Sequence, residues 1–168
     1  MSGRTPRASA GVRDTPALAR GVRREPAMNT FDRDGISFRY PANWRAEVEE
    51  SADGGWTVTV QSRDTAFAMV SLQPEASDPA DLSDQTLAAL RAEYKEIDVE
   101  HATETVAGKV AIGFDADFLT VDTATLCRVR CLDTFAGPLL VMCQVGEYDR
   151  DRNEPALRAI VASIRDEE

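Results

Sequence analysis

Residues 36–44 read ISFRYPANW, and that stretch decides the fold. Ile36, Phe38 and Tyr40 alternate with Ser37 and Arg39, the period-two pattern of a strand with one buried face. Pro41 has no N–H to give to a ladder, so pairing stops there and the chain turns. A strand that stops at proline and resumes around Trp44 belongs to a β-rich protein with sharp corners.

Working outward, the pattern predicts strands at 36–40, 43–50, 55–62, 65–73, 99–107, 109–122, 124–135 and 138–148. Two helices interrupt and close this run. The first is expected to begin near Ser83, capped by Ser83 or Asp81, with Leu87, Leu90, Tyr94 and Ile97 on one stripe. The second is expected after Asn153 as N-cap, with Pro155 in its first turn and Leu157, Ile160, Val161 and Ile164 on its apolar face. Short turns join the strands, so the sheet is mainly antiparallel and the class is α+β.

The long hairpins can be put in register. A tight turn at Asp122-Thr123 sets Phe114 opposite Cys131, Ala116 opposite Val129 and Phe118 opposite Cys127. The other face then pairs Asp115 with Arg130 and Asp117 with Arg128. A turn through residues 136–138 sets Cys131 opposite Cys143 and Val129 opposite Val145. Leu126, Leu132, Leu140 and Met142 fall on the face of the charged pairs, so both faces need covering. One helix on each side of the sheet does this.

Composition bounds the function. At 168 residues the chain is the size of one domain, and its 43 % apolar and 29 % charged residues are ordinary for a globular protein. A net charge of −10 argues against nucleic acid and suits a basic partner. The apolar run around GPLLVMC is too short to span a bilayer. Residues 1–27 hold six arginines against Asp14 and Glu25 and show no apolar periodicity. They read as a disordered, dispensable basic tail, with a targeting peptide as the alternative, ahead of a single domain at 28–168. They lack a secretory h-region, so a cytoplasmic place is expected.

GISFRYPANW, a mid-chain helix, ETVAGKVAIGFDADF, a long meander and a terminal LRAIVASI helix together resemble the PsbP-like superfamily. That superfamily includes the PsbP subunit of photosystem II, a Ran-binding nuclear import factor and DcrB-like bacterial proteins. The resemblance covers roughly residues 31–165 and implies a three-layer α/β/α sandwich around an antiparallel sheet. Its F-x-x-P-x-x-W segment matches Phe38, Pro41 and Trp44 and implies that Trp44 plugs the end of the core. It also implies a non-catalytic binding or assembly module. The alternative is an acidic, homodimeric, DcrB-like chaperone for a secretion effector. No metal-binding or partner-binding residue of that superfamily can be matched onto this chain.

Three constellations remain. Cys127, Cys131 and Cys143 fall on one strand face in the registers above. With His101 they suggest a metal site or an enzyme, but the spacing matches no zinc pattern and free cysteines usually pack as small hydrophobes. His101 has no nucleophile motif beside it, and no glycine cluster forms a phosphate loop. Neither a cofactor nor a catalytic residue is therefore expected. Glu47, Glu49 and Glu50 form the candidate docking patch for a basic protein partner, set against a plain exposed strand face.

Overall fold

The computed structural model describes residues 27–121 and 123–168. All but the last residue of the predicted basic tail, and Asp122 of the predicted turn, lie outside the described residues.

The described residues open with a strand that the sequence pattern did not predict. β1 (Met28–Arg33) pairs antiparallel with β2 (Ile36–Pro41), Arg33 opposite Ile36 and Met28 opposite Pro41. The turn is Asp34-Gly35, with φ of 55° and 81°. Two successive positive φ angles match the twist of a hairpin, and Asp-Gly is the dipeptide that adopts them most readily. Ile36 and Phe38 are buried as the alternation requires. The Trp44 amide donates to Pro41 O at 3.0 Å, closing the corner. Trp44 itself is 8 % exposed and belongs to the core, where the F-x-x-P-x-x-W segment placed it.

The next seven strands form one antiparallel sheet. β3 (Arg45–Glu50), β4 (Trp56–Gln61) and β5 (Phe67–Leu72) make one meander; β6 (Ile97–Val106), β7 (Lys109–Thr120), β8 (Thr123–Thr134) and β9 (Gly137–Gly146) make a second. The order is β3-β4-β5-β9-β8-β7-β6. The two meanders join only where β5 meets β9, with Val70 opposite Val141.

Helix α1 (Pro79–Glu93) covers one face, packing on β7, β8 and β9. It starts earlier than predicted. Asp78 is the N-cap, accepting from the Asp81 amide at 2.8 Å, and Pro79 fills the first helical position, where its missing N–H has no bond to lose. Leu82, Leu90, Phe114, Ala116, Phe118, Cys127, Val129, Cys131 and Leu140 form the core beneath it.

Helix α2 (Arg150–Ala162) lies on the other face with the small β1-β2 sheet, which β10 (Arg165–Asp166) extends by pairing with β2. The predicted α/β/α sandwich is therefore present, with a mixed outer layer on the α2 side. α2 also starts before its predicted cap. A single 3₁₀ turn, Glu147–Asp149, feeds it, and Asn153 sits inside the first turn. The Asn153 amide donates instead to Asp149 Oδ2 at 2.6 Å. Asp149 is 1 % exposed and also accepts from the amide and hydroxyl of Thr65, so the helix start is anchored to the β4–β5 turn. Pro155 then lies deeper in the helix than its expected first-turn place.

Both predicted hairpin registers need correction. β7 and β8 close with Thr120 opposite Thr123, so Phe114 faces Val129 and Ala116 faces Cys127. That is a two-residue slip, which preserves faces. β8 and β9 close with Thr134 opposite Gly137 and Phe135-Ala136 between them. Gly137 has φ of 135°, and the Thr134 hydroxyl donates to its carbonyl at 2.7 Å. That is a three-residue slip, and an odd slip sends every side chain to the opposite face. Cys143 accordingly faces α2 with Arg128, while Leu140 and Met142 join Cys131 and Val129 under α1.

Candidate functional site

The α2 layer is narrower than the sheet it covers. α2 packs on β2, β5 and β9, beside Trp56, Val58, Val60, Val70 and Val141 in the same core. Beyond β9 the face changes character. β8 presents Arg128 and Arg130, β7 presents Asp115 and Asp117, and β6 presents Glu100 and Glu104. A cleft of about 910 Å³ opens there. Leu157, Val161 and Ile164 of the α2 segment form one wall, Val106, Ala107 and Gly108 of the β6–β7 turn another, and Asp115, Arg128 and Arg130 the floor.

Arg130 organises that floor. Its side chain is 8 % exposed. Its Nε donates to Glu104 Oε1 at 2.6 Å, and its Nη1 to Phe114 O and Val129 O at 3.1 and 2.9 Å. Its Nη2 lies 2.9 Å from Asp115 Oδ1, an ion pair whose angle falls short of a hydrogen bond. Gly113, directly opposite, leaves the necessary room: a Cβ there would run into the Val129 carbonyl. Arg128 is committed as well, with Nη2 at 2.8 Å from Glu154 Oε2 on α2. Glu154 also accepts from Arg150 at 2.8 Å and Arg158 at 3.0 Å. Chiefly through Arg150, and then Arg128, its carboxyl is pulled down to about 2 despite its burial. The expected Asp117–Arg128 pair is thus replaced by one between sheet and helix, and Asp115 reaches Arg130 diagonally.

Arg130 is held through Nε and Nη1 by groups of the protein, and the charge of Arg128 is paired with Glu154. The lining carries four carboxylates and four guanidiniums, a balanced floor on an acidic protein. Cys143 borders the cleft, but burial pushes its thiol up to about 12, with Arg128 and Arg130 pulling the other way. Cys127 and Cys131 lie on the opposite face, also raised to about 12 by burial. The three cysteines do not share a face, which removes the expected cluster. His101 is exposed on β6, on the α1 side, at a shallow recess of about 340 Å³ beside Ala80, Ser83 and Asp84. Among the described residues no three His, Cys, Asp or Glu side chains gather as a metal site. Among the described residues no helix is long and apolar enough to cross a membrane.

The acidic trio on β3 is exposed but divided. Glu47 and Glu49 lie opposite Thr59 and Thr57 on the α1 side, whereas Glu50 lies opposite Trp56 on the other. Glu50 is doubly bonded to Arg33, which lowers its pKa and fastens β3 to β1. Sequence reasoning missed Glu104 and Glu154. The Arg150-Glu154-Arg158 spacing of four was a legible helix signal; Glu104 needed the register.

No protein-family model and no curated protein sequence matches the chain. Solved structures do. A cyanobacterial PsbP from Synechocystis aligns over 88 % of this chain and 96 % of its own, with a TM-score of 0.57 and 14 % identity. PA94, a Pseudomonas aeruginosa protein of unknown function, aligns over 84 % and 98 %, with a TM-score of 0.53 and 12 % identity. The fold is PsbP-like.

Proposed function

We propose that this chain is a non-catalytic protein-binding or assembly module that uses a PsbP-like fold in the cytoplasm. The cleft between α2 and the β6–β8 end of the sheet carries the reading. It is large enough for several side chains, its floor charges are paired with one another, and its thiol is held protonated. Paired charges and a protonated thiol do not make an activated nucleophile, and an apolar wall beside a polar floor suits docking of another polypeptide. The exposed carboxylates Glu47 and Glu49 are proposed as an auxiliary docking point on the far edge.

The test is a photo-crosslinking residue at Arg158, a cleft-wall position 68 % exposed in its side chain, introduced in the native cells. Specific protein adducts are expected, lost when Val161→Glu closes the apolar wall. A cleft that retains only a small metabolite, seen by native mass spectrometry, would overturn the reading. The effector-chaperone alternative draws on the apolar wall of Leu157, Val161 and Ile164. It requires a homodimer, and a monomer in sedimentation equilibrium removes it.

A further inference from the structure

The seven-stranded sheet ends in two edges that differ. β3 is six residues long and tied to β1 through Arg33 and Glu50. β6 is ten residues long and pairs only with β7, so among the described residues its outer edge has no strand partner. Half of its backbone N–H and C=O groups therefore face outward, which is a template for another extended segment. The two sides of that edge are open. On one side lies the cleft, reached past Glu104 and Val106; on the other lies the recess beside His101 and Thr103.

The charges along this edge are arranged against the chain's own stability. Asp98 lies directly opposite Asp117, and Glu100 directly opposite Asp115. Like charges directly opposite each other in a sheet are destabilising. Asp115 has Arg130, but Asp98 and Glu100 are exposed, and no ion pair is recorded for either among the described residues. Charges on an edge strand do keep copies of a protein from pairing edge to edge. That role needs carboxylates on β6 alone; it does not need a second one across the strand on β7. A second copy pairing β6 to β6 would also set this carboxylate row against itself.

We infer that β6 is a docking edge for an extended basic segment of another protein, whose alternate Lys or Arg side chains settle over the Asp98–Asp117 and Glu100–Asp115 pairs. The segment adds antiparallel or parallel to β6 as an eighth strand and takes its affinity from main-chain hydrogen bonds. Alternation then sorts its side chains. The basic ones turn to the α2 side and complement the doubled carboxylates, while small apolar ones turn to the recess between α1 and β6. This inference rests on the protein-binding reading above and supplies the chemistry of the partner.

The experiment uses the full chain and a fluorescent peptide alternating lysine and valine. Anisotropy is expected to rise saturably at low ionic strength and the affinity to fall about tenfold or more in high salt. The same peptide with alternate backbone nitrogens methylated keeps its charge but loses one edge of hydrogen bonds, and is expected not to bind. Amide exchange in residues 97–106 should slow on binding. The double substitution Asp98→Lys and Glu100→Lys changes only exposed side chains; it should abolish the lysine peptide and admit a glutamate–valine peptide. No binding, or binding indifferent to methylation or to the charge swap, overturns the inference. If the Arg158 cross-link still captures protein in that event, only strand addition falls. If both fail, the binding-module reading falls with it.

Discussion

Two halves of the same sheet face make the instructive contrast. Beneath α2 and the β1-β2 sheet, β4, β5 and β9 present Trp56, Val58, Val70 and Val141, each 0–2 % exposed. The next two strands, β8 and β7, present Arg128, Arg130, Asp115 and Asp117. The first half is stabilised by area removed from water; the second is held by charges that must satisfy one another. All these strands alternate with period two, and the residues on this face are apolar or charged according to what lies over them. The difference is what covers them. Where a second layer reaches the sheet the face is a core, and where it stops the face is a cleft.

The largest expected effect lies in the covered half. Trp56 is fully buried, packs on Phe31 at 5.0 Å between ring centroids and donates to Asp34 at 2.8 Å. Trp56→Ala should cost about 3–5 kcal/mol in urea unfolding, and a loss under about 1 kcal/mol would mean that the small sheet does not seal this half.

Arg130→Met in the open half should cost less, about 2–3 kcal/mol, because Glu104 is 44 % exposed and recovers water when released. Adding Glu104→Gln and Asp115→Asn should restore most of that loss. Stability that fails to recover would show that Arg130 acts through its bonds to Phe114 O and Val129 O alone.

Glu154 supplies the pH-dependent arm. Its folded pKa is lowered to about 2 from 4.5, so the stability it contributes is present above about pH 4.5 and is lost as pH falls toward 2. Arg150 and Arg158 are 47 % and 68 % exposed, so solvent reduces the contribution to about 1–2 kcal/mol. Glu154→Gln should flatten the acid limb of the stability curve and leave stability below pH 2 unchanged; an unaltered limb assigns it to other carboxylates.

The smallest effect is kinetic. Cys127 and Cys131 are 0 % exposed and should stay unlabelled by a thiol reagent in the native state, while Cys143, 7 % exposed at the cleft, should label slowly and first. Rapid labelling of Cys127 would contradict the seal made by α1.

The architecture was legible from the sequence because it depends on alternation and helical stripes, which survive small errors of register. The site was legible only in part: alternation put Asp115, Arg128 and Arg130 on one face, but which face of β9 joins them depends on parity. Placing the first long turn at Asp122-Thr123 displaced the pairing by two residues and left Phe114 and Cys127 on their correct face. Placing the second at 136–138 displaced it by three and put Cys143 on the wrong one. The deciding residues were Thr123, which pairs as a strand residue, and Gly137, whose positive φ ends a two-residue turn at Phe135-Ala136. The Asp34-Gly35 hairpin was written plainly and β1 could have been found from it. The width of the α2 layer, which creates the cleft, has no local signature at all.

The seam between β5 and β9 also sets how the molecule comes together. Every other pairing in the large sheet joins strands adjacent in sequence, so each meander can assemble from short loops. The seam alone brings Val70 to Val141, closing a loop of about 70 residues before those contacts contribute. Substitutions in the β6–β7 hairpin, formed before the loop closes, are therefore expected to slow refolding, whereas equally destabilising ones at Val70 or Val141 should chiefly hasten unfolding. Stopped-flow chevrons in which the hairpin substitutions altered only the unfolding limb would mean that the meanders do not form ahead of the seam.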